Sequence, residues 1–305
     1  MKYIYGPVPS RRLGISLGIS PIPKKTCNYS CIYCQLGRTD RMTNTRMMFF
    51  PVDAIVSEFN EVLKEQVPFD VITIVGEGEP TLYLGLGELI GEIQKRTDKP
   101  VAVITNGALL SDGKVRSELG KADIVLPTMD ACSEDQFRRI NRPHKDLEFA
   151  NVLEGLQVFS KTYKGQLWLE IMLVKGYNDD EQSLANYLRM LGDLRYDKLY
   201  VNTPVRPPAE SFAKAVDHEK MDQVAKFLSG ISIDLLVSQG FHSEIKDDYP
   251  AVLSIIKRHP MNQFEIEGFL KSRGCKDCTT IFEELSSDDQ VLSIKYKGFS
   301  TYRLK

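Results

Sequence analysis

Three cysteines, Cys27, Cys31 and Cys34, stand at C-x3-C-x2-C spacing in the stretch Lys25-Thr26-Cys27-Asn28-Tyr29-Ser30-Cys31-Ile32-Tyr33-Cys34-Gln35. Thiolates are soft ligands that select zinc, copper(I) or iron–sulfur clusters. Three this close can wrap one metal centre, and iron–sulfur clusters are held by such runs. A structural site would add a fourth cysteine or a histidine nearby, but the next cysteine is Cys132. One coordination position is therefore expected to stay open, as in catalytic metal sites. A half-built zinc site, or a few buried thiols, is the plainer alternative.

Further polar groups stand at the ends of apolar runs. Gly76-Glu77-Gly78-Glu79-Pro80 follows a β-branched stretch. Glycine there lets a ligand approach the backbone, and a carboxylate can accept charge-assisted hydrogen bonds from an ammonium group. Thr105-Asn106-Gly107, Thr128-Met129-Asp130-Ala131, Asn202 and the Arg206-Pro207-Pro208 segment end other runs in the same way. Glu170 is the one charge inside Leu167–Leu173. A lone carboxylate in a buried strand is costly unless paired, so it is expected to point inward, toward a ligand or a basic residue.

The cysteine spacing, with Tyr33 before the third cysteine, resembles the radical S-adenosylmethionine (radical SAM) superfamily. The resemblance implies a 4Fe–4S cluster on Cys27, Cys31 and Cys34, with SAM chelating the fourth iron. Gly78-Glu79-Pro80 matches the segment that holds the SAM amino group in that family, although Glu77 replaces its first glycine. By the same likeness Tyr33, Thr105, Asn106, Thr128, Asp130, Glu170, Asn202 and Arg206 are candidates to face SAM or the substrate. The Gly-Pro-Val-Pro-Ser-Arg-Arg-Leu-Gly opening and the Arg-Pro-Pro-Ala-Glu segment look like a subgroup of anaerobic iron–sulfur oxidoreductases related to wyosine-type tRNA-modifying enzymes. That likeness names chemistry and not substrate: the basic first fifty residues favour RNA and the neutral C-terminal segment favours a peptide or protein, and an electron donor such as flavodoxin or ferredoxin is expected.

Elements must position these groups. Six strands are expected at Ile15–Ser20, Phe69–Val75, Val101–Ile104, Ala122–Ala131, Leu167–Leu173 and Leu199–Thr203, each β-branched or largely apolar. Helical spacing is clear at Val52–Lys64, about Leu84–Lys95, Leu147–Tyr163 and Leu184–Leu194. The expected fold is α/β, a partial (β/α)6 barrel over residues 1–243 with an irregular lead-in at Gly6–Gly14 and one further short strand at Ser232–Leu236. Residues 244–305 are expected to form a winged-helix-like module, with helices at Ala251–Arg258, Asn262–Ser272 and Cys278–Leu285 and a hairpin at Val291–Leu304.

A chain of 305 residues can carry a barrel and a small second domain. With 42% hydrophobic and 26% charged residues it has ordinary globular composition. No apolar run has transmembrane length, and the first residues lack a signal-peptide core. A cytoplasmic location is expected, consistent with six cysteines kept reduced. The first 50 residues carry eight basic side chains against Asp40, in a chain of net charge -2. Such a rim attracts a phosphate-rich substrate or an acidic electron donor, or merely offsets the charge of a cluster. The last 62 residues hold ten basic and ten acidic groups, which is not the footprint of a duplex binder. Cys275 and Cys278 form a C-x2-C pair that needs Cys132, His242 or His259 to complete a second metal site. His144, beside Arg138-Arg139 and Arg142-Pro143, reads as a surface or substrate-facing residue rather than a metal ligand. A non-catalytic, metal-containing winged-helix redox regulator is the alternative to an enzyme.

Overall fold

Strand and helix alternate because β-branched runs alternate with amphipathic ones. The computed structural model describes residues 2–233, 241, 243, 245–257, 259–275, 277–296 and 298–305. Strands β1 (Ile4–Ser10) and β2 (Gly14–Ile19) pair antiparallel. From β2 onward, strand and helix repeat six times. The first three units are β2 with α1 (Val52–Lys64), β3 (Val71–Ile74) with α2 (Leu86–Gln94), and β4 (Val101–Thr105) with α3 (Gly113–Leu119). The next three are β5 (Ile124–Pro127) with α4 (Phe149–Thr162), β6 (Gln166–Met172) with α5 (Glu181–Gly192), and β7 (Lys198–Asn202) with α6 (His218–Phe227). A short β8 (Ile231–Ser232) follows.

The sheet runs β1 to β8 in chain order, with every pair from β2 to β8 parallel. Among the described residues β8 does not pair back to β1, so the barrel is open on one side. Alternation splits the strands between two layers. Ile72, Val103, Val125, Leu169 and Val201 pack with the helices' apolar faces, such as Ile55, Val56 and Phe59 of α1. Val71, Ala102, Ile124, Trp168 and Tyr200 form a smaller cluster on the other face.

The lead-in differs from expectation. Ile4–Ser10 is a strand, not an irregular segment. Its prolines are tolerated because β1 is an edge strand, with no outward ladder to donate to. A bulge between Tyr5 and Val8 absorbs the break in register. Strands β3 and β5 are shorter than expected. Helix α3, which the sequence reading passed over, starts on an Asp112 cap that accepts from the Lys114 amide at 2.7 Å. The expected strand at Ser232–Leu236 reaches beyond the described residues, which include only its start.

The C-terminal part has α7 (Asp248–Ile256), β9 (Met261–Asn262), α8 (Gln263–Ser272), α9 (Thr279–Ser287), β10 (Val291–Tyr296) and β11 (Phe299–Leu304). The three helices and the hairpin occur in the expected order, with β9 added as a third antiparallel strand beside β11. Asn262 and Glu265 form a capping box on α8. The apolar centre of this part includes Val252, Ile256, Ile266 and Leu270, and Val8 of β1 packs into it.

Polar contacts seat this part against the barrel. Arg206 donates to His259 Nε2 at 2.8 Å and reaches both oxygens of Glu265 at 3.3 Å. Tyr296 donates its hydroxyl to the Pro204 carbonyl at 2.7 Å, and Arg303 donates to the Gln35 carbonyl at 2.6 Å. Because Arg206 can only donate, His259 must offer a bare Nε2. Desolvation first, then the charges of Arg206 and Arg11, hold the His259 pKa well below its usual value.

A lowered histidine pKa gives stability that is present above the unfolded value, about 6.5, and lost as pH falls below it, because the unfolded chain then binds the extra proton. The melting temperature of the full chain is expected to drop between about pH 7.5 and about pH 5.5, with a slope of up to about 1.4 kcal/mol per pH unit. In His259→Gln this part of the slope is expected to vanish, which thermal melts across that range check.

Candidate active site

The cysteine loop leaves β2 and is folded back onto it by short backbone contacts. Thr26–Cys27 pairs with Arg41–Met42, Thr39 Oγ1 donates to the Tyr29 carbonyl at 2.6 Å, and the Cys34 amide donates to the Cys31 carbonyl at 3.1 Å. The loop is also pinned from outside. Glu210 accepts from Arg38 Nε at 2.8 Å and from Arg142 at 2.6 Å, and its amide donates to the Ile32 carbonyl at 3.0 Å. Glu210 comes from the Arg-Pro-Pro-Ala-Glu segment, so the end of the last barrel strand holds the loop that follows the first.

All three thiols are unpaired and line one cavity of about 320 Å³ at the mouth of the barrel. Burial is the first cause that raises the pKa of each, helped at Cys27 by the Glu79 charge and at Cys31 by the Asp130 charge. Thiolates in such a place are costly without a cation among them, and a coordinated metal deprotonates a thiol outright. Among the described residues no three His, Cys, Asp or Glu side chains stand close enough to hold a single ion. A cluster whose thiolates bind separate irons needs wider spacing than one ion does. The three-thiol donor set therefore fits an iron–sulfur cluster with one iron left open. Amide groups already face the sulfurs: the Tyr29 N–H lies 3.4 Å from Cys27 Sγ, Asn106 Nδ2 3.7 Å from Cys27 Sγ, and Asn141 Nδ2 3.5 Å from Cys31 Sγ. Such donors tune the potential of a cluster.

The strand end after β3 crosses directly over the loop. A Cβ on Gly78 would lie 1.8 Å from the Thr26 carbonyl oxygen, so only glycine fits. On either side, the Lys25 amide donates to the Glu77 carbonyl at 2.5 Å and the Glu79 amide to the Thr26 carbonyl at 3.0 Å. The Glu79 carboxylate is 2% exposed. Its Oε1 accepts from Thr81 N, Thr81 Oγ1 and Thr105 Oγ1, and its Oε2 accepts from the Asn106 amide at 2.7 Å. Burial raises its pKa against these four donors. Oε1 is fully engaged, while Oε2 retains a lone pair.

Of the candidate residues, Tyr33, Gly78, Glu79, Thr105, Asn106, Thr128, Glu170, Asn202 and Arg206 line the cavity with the three cysteines. Asp130 does not; it lines a smaller neighbouring cavity together with Asn106 and Thr128. It is 3% exposed and lies behind the wall, accepting from the Tyr33 hydroxyl, from Asn141 at 2.9 Å and from the Met172 amide at 3.0 Å. It is satisfied there as a brace for Tyr33 and Asn141. Glu170 touches the Arg12 guanidinium, and Asn202 lies 3.4 Å from its other oxygen. Arg206 borders the cavity, but its fork is turned onto Glu265.

Arg12, Asn28, Asn141 and Glu210 were not picked out from the sequence. Asn28 accepts from Asn106 at 2.7 Å and so joins the loop to the end of β4. Asn141 sits in a π-helical turn, Phe137–Asn141, inside a stretch that reads as a basic surface patch. The remaining cysteines stand away from this cavity, and Cys275 and Cys278 lie beside each other. Cys132 hydrogen-bonds Gln136 and lies 3.6 Å from Asn186 Nδ2, Cys278 packs in the C-terminal apolar centre, and Cys275 donates to the Asp277 carbonyl at 3.3 Å. His259 is engaged by Arg206, and His242 lies outside the described residues.

A sequence profile described as the Radical SAM superfamily matches residues 22–188. A UPF0026 protein of Methanocaldococcus jannaschii is 34% identical over 309 residues, covering 98% of this chain and 94% of its own length. A Brachyspira hyodysenteriae protein named GTPase Obg is 40% identical over 237 residues, but the chain, matched over 77% of itself, spans only 35% of that protein. Among solved structures, TYW1 with a lysine-pyruvate adduct bound aligns at a TM-score of 0.56 and 19% identity, over 72% of this chain and 74% of that one. At that identity the likeness is one of fold.

Gly78→Ala is expected to push Thr26 and Cys27 away from the end of β3 and to lower iron bound after anaerobic reconstitution several-fold. Iron content and the visible absorbance of the variant, against the native chain, check this.

Proposed function

Since the chain belongs to the radical SAM superfamily, an enzyme family that uses a 4Fe–4S cluster and SAM, we propose that its mouth cavity performs reductive SAM cleavage to drive hydrogen abstraction from a substrate. Bound by Cys27, Cys31 and Cys34, a reduced 4Fe–4S cluster would supply the one electron that cleaves the SAM sulfonium to methionine and a 5′-deoxyadenosyl radical, the species that would take the substrate hydrogen. The convergence of three unpaired thiols with the Gly78-Glu79 strand end in one cavity carries this reading. The family also sets aside the alternative of a non-catalytic regulator.

Roles follow from position. Cys27, Cys31 and Cys34 would hold the cluster through three thiolates, with a position left for SAM. Glu79 Oε2 has room for the SAM ammonium, while Oε1 keeps the ends of β3 and β4 together. Thr105, Asn106 and Thr128 line the same wall. Asn106 and Asn141 donate to the sulfurs, and Asp130 fixes Tyr33 and Asn141 from behind. Arg12, Glu170, Asn202 and Arg206 line the side nearer the C-terminal part and are left for the substrate. Arg303, donating to Gln35 beside Cys34, helps close the mouth against water. Lys24, Lys25 and Arg41 in the same loop suit an acidic electron donor such as flavodoxin or ferredoxin. Substrates of the RNA and peptide classes both fit a cavity open on one side.

The test is anaerobic. Reconstituted protein with dithionite and SAM is expected to form 5′-deoxyadenosine, and Cys31→Ala is expected to form none above background. Stimulation by a small-RNA or a protein fraction names the substrate class. No nucleoside from the native chain under any of these conditions would overturn the reading.

A further inference from the structure

Beyond the lobe that holds the thiols, the cavity continues into a second lobe of about 220 Å³, between the β1–β2 turn, the inner face of the sheet and the C-terminal part. The lobes share Arg12, Val75, Asn202 and Arg206 among their lining residues and so form one space. Arg11, Arg12 and Arg206 line the second lobe against a single carboxylate, Glu77. Two of the arginines are matched, Arg12 by Glu170 and Arg206 by Glu265. Arg11 is different. Among the described residues its guanidinium has no hydrogen bond and no ion pair. Its charge nevertheless reaches Arg206 and His259, whose protonated forms it disfavours. The cationic groups therefore converge on one space.

A half-buried guanidinium without a counter-ion raises the potential of the cavity it faces. It presents a planar fork that matches carboxylate or phosphate oxygens. We propose that Arg11, backed by Arg12 and Arg206, forms a subsite for an anionic group of the substrate, a carboxylate or a phosphate, one lobe away from the cysteines. This rests on the radical SAM reading above, which makes the thiol lobe the place of chemistry and the second lobe the place of recognition. The small volume, closed by His259 and Gln35, admits the end of a small molecule or a single slender chain.

The test uses the full, reconstituted protein and two probes, inorganic phosphate and acetate, titrated calorimetrically with SAM titrated separately into the same preparations. Arg11→Gln is expected to weaken anion binding about tenfold, the loss of one charge-assisted contact, and to leave SAM affinity unchanged. Arg11→Lys is expected to recover part of the binding, because it keeps the charge and loses the fork. Preference for phosphate assigns a phosphorylated substrate or nucleic acid backbone, and preference for acetate a carboxylate. Equal anion binding by native chain and Arg11→Gln, or no binding by either, overturns the subsite. So does a parallel loss of SAM affinity, which would put Arg11 in the SAM site. Arg11-dependent anion binding without SAM binding would keep the anion site and remove the radical SAM reading. SAM binding without Arg11-dependent anion binding would do the reverse.

Discussion

Two backbones meet where Gly78 lies on Thr26, and the active site depends on that contact. It is possible only without a side chain, and it is flanked by hydrogen bonds from Lys25 to Glu77 and from Glu79 to Thr26. Through it the loop that carries the thiols is set against the ends of β3 and β4. Glu79 then uses its buried carboxylate to hold Thr81, Thr105 and Asn106 in place, and Asn106 in turn reaches Cys27 and Asn28. A buried carboxylate with four donors is rigid as well as satisfied. The thiols are thus presented by strand ends of the sheet rather than by a loop alone.

Charges of both signs surround this point. Acidic groups, Glu79 and Asp130, stand next to the sulfurs and make unliganded thiolates still less favourable. Lys25 and Arg303 stand on the Cys34 side and favour its thiolate, and further cationic groups stand at Arg11, Arg12 and Arg206 on one side and at Arg38 and Arg142 around Glu210 on the other. The C-terminal part contributes through Arg303, Tyr296 and the Arg206–His259–Glu265 contact, each of which ends on the barrel's mouth.

Six strands and four of the helices between them were legible because β-branched runs such as Val71–Ile74 and stripes such as Ile55, Val56 and Phe59 carry their period in the residue types; the short helices Gly113–Leu119 and His218–Phe227 were not. The cysteine spacing and the Gly78-Glu79-Pro80 strand end were legible for the same reason: their chemistry is local. Long-range pairings were not. Nothing near Arg12 names Glu170 as its partner, and nothing near Glu210 names Arg38 and Arg142. At Asp130 the residue type is local, but its bonds to Tyr33 and Asn141 depend on a π-helical turn that brings Asn141 inward. Gly6–Gly14 reads as irregular because its glycines and prolines break local propensity, whereas the edge position of Ile4–Ser10 removes the penalty.

The most direct test of the central claim is the electron paramagnetic resonance spectrum of the dithionite-reduced, reconstituted protein, recorded with and without SAM. A cluster held by Cys27, Cys31 and Cys34 with one open iron predicts a paramagnetic signal whose shape changes when SAM is added. A signal indifferent to SAM, or no iron–sulfur signal at all, would contradict it.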